Sequence, residues 1–459
     1  MTEATSHLRR LVEQGATEEL YAYIHRLVEE KAEAELAEQL GTLHGSDVAD
    51  VLEHLEEEER VYVLSVLPAP IASESLVEME EVEHPGELLT RLEPERIAEL
   101  VTELADDDAA DLIGELEPAD QARVLSSLPD VEEEEIVELL HFPEDTAGGI
   151  MTREVVSLPL RMTAGQALQA VRAQGRDVGH FYTIFVVEPH QRLRGVVSLQ
   201  RLVMASPEQP IDELVEESPV VDVEMDQEEV GRVLARYNLP AIGVVDPRGR
   251  LVGRITFDDV IDVLEAETTE DILRFASVSE EEAVLGTTRD AVRGRLPWLV
   301  VNLFTAVVAA SVVYVFQRTI QEMVILAAVM PIIAGMGGNA GTQALAVTVR
   351  RIALSRETVA ERWKVLGKEL LVGVLNGLVI GSIVAVTSFL LVGEPLFGLV
   401  VMLAMWGNLV VASFAGAFIP IFLERLGVDP AVASSIFVTT LTDLCGFFLL
   451  LGLATALLL

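Results

Sequence analysis

The 459 residues include a single cysteine, Cys445. A lone thiol excludes both an intramolecular disulfide framework and a thiolate zinc site within one chain, and its apolar neighbours read as packing. Histidine is scarce as well: the eight present are scattered, and none stands at a nucleophile–base spacing. The one glycine-rich run lacks the lysine and the strand context of a phosphate loop, so an enzyme is not expected. Positive charge is in short supply, with 32 Lys+Arg against 74 Asp+Glu and a net charge of −42. Such an excess of acid repels nucleic acid and anionic lipid surfaces and favours cations as ligands, although acid also serves simply to keep a domain soluble. Residues 1–40 are charged and helical in pattern, with no positive start followed by an apolar run. A cleavable signal peptide, and with it export of the acidic part, is not expected.

What is present divides sharply. From Pro297 onward acidic and basic residues balance at eight each, so the whole net charge of −42 precedes that point. Apolar stretches at about 298–316, 323–349, 370–393, 395–423 and 430–459 are each long enough to cross the roughly 30 Å of a bilayer's hydrocarbon. Arg289, Arg293 and Arg295 precede the first, and Arg350, Arg351, Arg356, Arg362, Lys364 and Lys368 are expected in the loop between the second and third. The positive-inside rule then places the acidic region in the cytoplasm and the C-terminus outside.

Within these spans charge is almost absent, as its cost in hydrocarbon requires. Asp443, in TTLTDLCG, is the exception, flanked by Thr439, Thr440 and Thr442 as further oxygen donors. An intramembrane carboxylate usually marks an ion or proton path, the bland alternative being a protonated Asp in a helix–helix hydrogen bond. The second span carries Pro331 and then GMGGNAGTQ, Gly335–Gln343. This run reads as loosened backbone lining a cavity, with Asn339 and Gln343 offering oxygens to a hard cation. Close helix packing through Gly337 and Gly341 is the competing reading, and it is the preferred one for Gly373, Gly377 and Gly381. A single central carboxylate among neutral oxygens suits an ion that keeps several waters, as Mg²⁺ does.

Two internal repeats organise the acidic part. DVADVLEHLEEEERVYVLSVLP, residues 47–68, returns as DAADLIGELEPADQARVLSSLP, residues 108–129, with apolar residues at helical spacing and a proline closing each unit. Stacked short helices are expected. IFVVEPHQRLRGVVSLQRLV, residues 184–203, returns as IGVVDPRGRLVGRITFDDVI, residues 242–261. Each reads as strand, turn, strand and helix start. This tandem resembles a CBS-domain pair over residues 148–265, a regulatory module. Residues 258–283 then read as a long helix bearing Asp259, Asp262, Glu265, Glu267, Glu270 and Asp271, for which a solvated acidic face is the bland reading.

The order of acidic helical repeat, CBS pair, acidic helix and five spans resembles the MgtE family of magnesium channels over almost the whole chain. EDTAGGIMT (144–152), DVIDVLEAE (259–267), GMGGNAGTQ (335–343), RLGVDPA (425–431) and TLTDLCG (440–446) carry the likeness. The resemblance implies an all-α superhelical domain over 1–140, an α/β CBS pair over 148–265, a linking plug helix over 266–296 and a five-helix transmembrane pore domain over 297–459. It also implies a homodimer in the cytoplasmic membrane whose plug helix shuts the pore when cytoplasmic Mg²⁺ is abundant. Asp443 would hold hydrated Mg²⁺ in the pore with Asn339 nearby. Asp107, Asp111, Asp226, Glu228, Asp259, Glu267, Glu270, Asp271 and Asp429 would form regulatory Mg²⁺ sites.

The chain departs from the family at Asn238, where a metal-binding Asp can stand, at Thr342 in the pore run, and at Ser435-Ile436 after RLGVDPA. In the first CBS unit Ser198-Leu199-Gln200-Arg201 lacks the acid that Thr256-Phe257-Asp258-Asp259 supplies in the second. ATP therefore stays an uncertain ligand, since Asp259 is also wanted for metal. Two other functions remain compatible with the residues alone: a proton- or sodium-coupled carrier regulated by its CBS pair, and a membrane-anchored metal or nucleotide sensor. Selectivity among Mg²⁺, Mn²⁺, Co²⁺ and Ni²⁺ is not fixed by oxygen ligands.

Overall fold

The computed structural model of the chain describes residues 17–79, 84–175, 178, 181–276, 278, 288–354, 359–426 and 434–459. It divides into two compact units, one ending at Glu267 and the other beginning at Thr268.

Among the described residues the first unit begins with ten short helices, α1 (Thr17–Glu29) to α10 (Asp130–Leu139). The sequence repeat is a structural repeat: α3 (Gly45–Glu53), α4 (Glu57–Val66) and α5 (Ala69–Val77) return as α8 (Asp106–Gly114), α9 (Pro118–Leu125) and α10. The prolines read as closing each unit also open the next helix, Pro68 as N-cap of α5 and Pro129 as N-cap of α10. A fixed φ and a missing N–H fit a helix start, where that N–H would have no intrahelical partner. Glu56 and Glu59 add a capping box to α4, answering two orphan amides at once. These helices seal apolar side chains inside: Leu36, Leu52, Leu64, Leu89, Leu100 and Ile113, on six different helices, are fully buried. Each such side chain contributes roughly 2 kcal/mol by area removed from water.

Two three-stranded sheets follow. In the first, β1 (Ser157–Pro159) lies parallel to β2 (Thr183–Glu188), which pairs antiparallel with β3 (Arg192–Ser198). In the second, β4 (Val220–Asp222), β5 (Ala241–Val245) and β6 (Leu251–Thr256) repeat that topology. Even the register shift recurs, between Val186 and Val187 and between Val244 and Val245. The crossovers are α11 (Ala164–Gln174), opened by a Thr163–Gln166 capping box, and α13 (Gln227–Tyr237); α12 (Leu199–Met204) follows β3. β6 runs directly into α14 (Phe257–Phe275), which ends short of the 283 expected for the acidic helix, since Ala276 lies in a turn and Val278 is not helical.

The second unit contains α15 (Thr288–Val315), the short α16 (Gln317–Glu322), α17 (Ile325–Leu354), α18 (Val359–Val392), α19 (Pro395–Arg425) and α20 (Ser434–Leu457). Five of these are long and apolar enough to cross a membrane. Two expectations are corrected. GMGGNAGTQ is not loosened backbone, because α17 runs unbroken through it for 30 residues. Glycine's cost in a helix, about 1 kcal/mol in water, is outweighed where no water stands ready to take the backbone groups. The basic residues between the second and third spans are also not all in a loop. Arg350 and Arg351 end α17, and Lys364 and Lys368 ride on α18, which begins at Val359. With them comes Glu369, buried on the same helix and inside a span that begins earlier than the expected 370.

Candidate functional site

Asp443 is half-buried on α20, and Thr439, one turn earlier, is exposed on the same face. The neighbouring hydroxyls bond back to their own helix: Thr439 donates to Ser435 O (2.9 Å), Thr440 to Ile436 O (2.6 Å) and Thr442 to Thr439 O (2.9 Å). Their lone pairs stay available, but Thr442 is fully buried and faces the helix core. Of the three threonines, Thr439 is the one turned to the open side with Asp443.

The glycine-amide run sorts by helical face. A Cβ on Gly337 would lie 2.3 Å from Asn408 Nδ2, and one on Gly341 would lie 2.4 Å from Val438 Cγ1. Those two glycines let α19 and α20 approach, so the packing reading holds for them. At Gly335 and Gly338 a Cβ would meet nothing within 4 Å. Asn339 and Gln343 are exposed on α17. The run therefore packs with one face and presents amides on another. In α18, Gly373 meets Ser413 and Leu409, and Gly377 meets Trp406, at close-packing distances.

Asn408, fully buried on α19, escaped the sequence reading. Its Nδ2 donates to Ile333 O at 3.0 Å, and its Oδ1 is buried without a hydrogen-bond partner among the described residues. The signal was present, since an amide inside an apolar span is the same anomaly that singled out Asn339.

In the first unit, an acidic cluster forms where α8 meets the start of α14. Asp107 is 7% exposed and its Oδ1 has no hydrogen-bond partner among the described residues. Burial first, and then the charges of Asp108, Asp259 and Asp106, hold its carboxyl well above the usual range. Asp108, which sequence reasoning passed over, is pushed up to about 7 by burial and by Asp259, Asp106, Asp258 and Glu78. Asp262 is raised by burial and by the same neighbourhood. Asp106 anchors the group by accepting the Thr152 hydroxyl (2.5 Å) and the Arg153 amide (3.1 Å). Thr152 exchanges backbone bonds of 2.9 Å with Arg254 of β6, the strand that feeds α14.

The other carboxylates expected at regulatory sites have local tasks. Asp226 caps α13, accepting the amides of Glu228 (3.0 Å) and Glu229 (3.2 Å). Glu228 pairs with Arg232 one turn on. Asp259 accepts both the amide and the hydroxyl of Thr256, and Glu267 accepts Gln227 Nε2 at 2.8 Å. Glu270 pairs with Arg274. Asp111 is exposed on α8. Asp271 lies on α14, and Asp429 is outside the described residues. Asn238 ends α13 in the left-handed region (φ 52°), a conformation that asparagine tolerates better than most residues, which accounts for an amide at that position. Among the described residues no three carboxylate, histidine or cysteine groups close on a point that could hold a metal ion.

Comparison with known proteins bears on most of the chain. Residues 43–145 match the MgtE intracellular N domain, 147–208 and 211–266 match the CBS domain, and 330–453 match the MgtE divalent cation transporter domain. The chain is 37% identical over 330 residues to the magnesium transporter MgtE of Enterococcus faecalis, covering 71% of this chain and 72% of that one. It is 37% identical over 334 residues to the magnesium transporter MgtE of Thermus thermophilus, with the same coverage. A crystal structure of the soluble part of a magnesium transporter superposes with a TM-score of 0.50 at 30% identity, covering 55% of this chain and 98% of that one. With its helical repeat and its CBS pair falling within these matches, and with relatives 37% identical over more than two thirds of their length, the chain belongs to the MgtE family of divalent cation transporters.

Proposed function

We propose that the chain conducts Mg²⁺ through the cytoplasmic membrane and is shut by Mg²⁺ binding on the cytoplasmic side. The observation that carries conduction is Asp443: one carboxylate, half-buried beside an exposed Thr439, in a helix that bears no other charge. One negative charge with hydroxyl and amide dipoles around it attracts a divalent ion without stripping its inner waters, which lets the ion leave again. Asn339 would supply the amide. The names of the relatives, magnesium transporters, support Mg²⁺ as the cargo. Transport rather than enzyme catalysis, the homodimer, the cytoplasmic N-terminus and the external C-terminus belong to the same proposal.

The acidic cluster supports the gate. Carboxyls held above their usual range by burial and then by one another's charge are relieved by a cation, so Mg²⁺ favours the compact form of the cytoplasmic region. Turning a gate from mostly open to mostly shut needs about 5.5 kcal/mol of differential binding, which several weak sites acting together supply. Asp107 leads this set, with Asp108 added to it. Asp111, Asp226, Glu228, Asp259, Glu267, Glu270, Asp271 and Asp429 complete it, each released from its present partner or joined through water. ATP is not proposed as a ligand of the first CBS unit, which lacks the acid at Ser198–Arg201.

The test is Mg²⁺ entry into vesicles loaded with a Mg²⁺-sensitive dye, comparing wild type with Asp443→Ala at low and high Mg²⁺ on the cytoplasmic face. Entry that requires Asp443 and falls at high cytoplasmic Mg²⁺ is expected. Flux driven by a pH or Na⁺ gradient without divalent entry would make the chain a coupled carrier, and no flux of any kind would make it a sensor.

A further inference from the structure

We infer that Asn408 is a positioning residue for cation passage. Its amide, carried by α19, wedged between Gly337 of α17 and Gly446 of α20 and bonded to Ile333 O of α17, sets the register of each of those two helices against α19 and hence the placement of Asn339 relative to Asp443. The inference rests on the pore reading proposed above.

Three helices meet at this side chain. A Cβ on Gly337 would lie 2.3 Å from Asn408 Nδ2 and 3.2 Å from Thr442 Cβ, and a Cβ on Gly446 would lie 2.8 Å from the same Nδ2. Glycine at both positions is what admits the amide. Asn408 and Thr442 are fully buried, as is Ile333, whose carbonyl takes the amide proton at 3.0 Å. A polar side chain is expensive in this setting unless it is bonded. Helices in a membrane have little hydrophobic drive toward one particular register, so a hydrogen bond between two of them discriminates among registers that packing leaves nearly equal. The residues that flank the knot are the candidate ion ligands: Asn339 is two positions beyond Gly337, and Asp443 follows Thr442. A slide of α17 against α20 would move one ligand past the other.

A merely structural residue would reduce the amount of folded protein, and with it the entry of every ion in proportion. A register residue changes the ratio between ions. The experiment therefore reads the ratio of Mg²⁺ to Co²⁺ entry in dye-loaded vesicles for wild type, Asp443→Ala, Asn408→Leu and the double variant Asn408→Ala/Gly337→Ala. Asn408→Leu keeps the volume and loses the bond, and its ratio is expected to shift about tenfold, the order of one lost buried hydrogen bond. The double variant refills the notch without an amide and is expected to keep the shifted ratio. If Asn408→Leu does not fold, Asn408→Ser, too short to reach Ile333 O, reads the same quantity. An unchanged ratio in the single variant, or a restored one in the double variant, overturns the inference. Entry into wild-type vesicles that does not depend on Asp443 overturns instead the pore reading on which it stands.

Discussion

Asp106 Oδ1 accepts the Thr152 hydroxyl at 2.5 Å across 46 residues of sequence. Through it the helix that carries Asp107 and Asp108 is pinned to the strand that leads into Asp259. The like charges cannot move apart to relieve themselves, so the relief has to come from a proton, a cation or an unpinning of the helix.

Removing the repulsion by substitution should therefore imitate the cation. Asp107→Asn with Asp108→Asn is expected to make the cytoplasmic region resistant to limited proteolysis without Mg²⁺, where wild type needs Mg²⁺ to reach the same resistance. Continued dependence of the double variant on Mg²⁺ would locate the sensor elsewhere.

Protons should act in the same direction. The Asp108 carboxyl rises from the ordinary 3.8 to about 7 in the folded region. The compact form thus holds a proton that the loosened form has lost, and its stability falls as pH climbs from about 4 through 7. Thermal melting without Mg²⁺ should show a lower midpoint at pH 8 than at pH 6. Saturating Mg²⁺ should narrow that gap, and calorimetry should find protons released on Mg²⁺ binding near pH 7. A midpoint that rises with pH would contradict the cluster described.

Deleting residues 1–130 removes α1 to α9 and with them Asp106, Asp107 and Asp108. Conduction should persist while inhibition by cytoplasmic Mg²⁺ weakens. Vesicle flux over a Mg²⁺ titration measures this, and an unaltered inhibition curve would exclude the helical domain from sensing.

Asp226 separates structural from regulatory duty. As the cap of α13 it accepts two amides, so Asp226→Ala should cost about 1 kcal/mol of stability. Melting curves with and without Mg²⁺ should show the same loss if capping is its only task, and a larger loss with Mg²⁺ if it also binds the ion.

The architecture was legible because its signals are periodic. The 61-residue and 58-residue offsets and the five apolar stretches each recur as elements of the expected type. What was illegible depended on contacts between elements. Gly337 and Gly338 are adjacent and identical in sequence, yet one meets Asn408 and the other meets nothing, a distinction set by which face α17 turns to its neighbours. The expectation of loosened backbone applied a propensity measured in water to a segment that has no water to turn to. Asp108 was missed because the family resemblance carried over Asp107 and Asp111 alone. Its character comes from burial and then from Asp259, 151 positions away in the chain.

The continuity of α17 gives the second unit a mechanical property. Between Asn339 and Arg351 the helix contains no proline and no break, a distance of about 18 Å at 1.5 Å per residue. Such a segment is a stiff strut. Any push or twist applied to the basic end arrives at the level of Asn339 as the same displacement, with no hinge to absorb it.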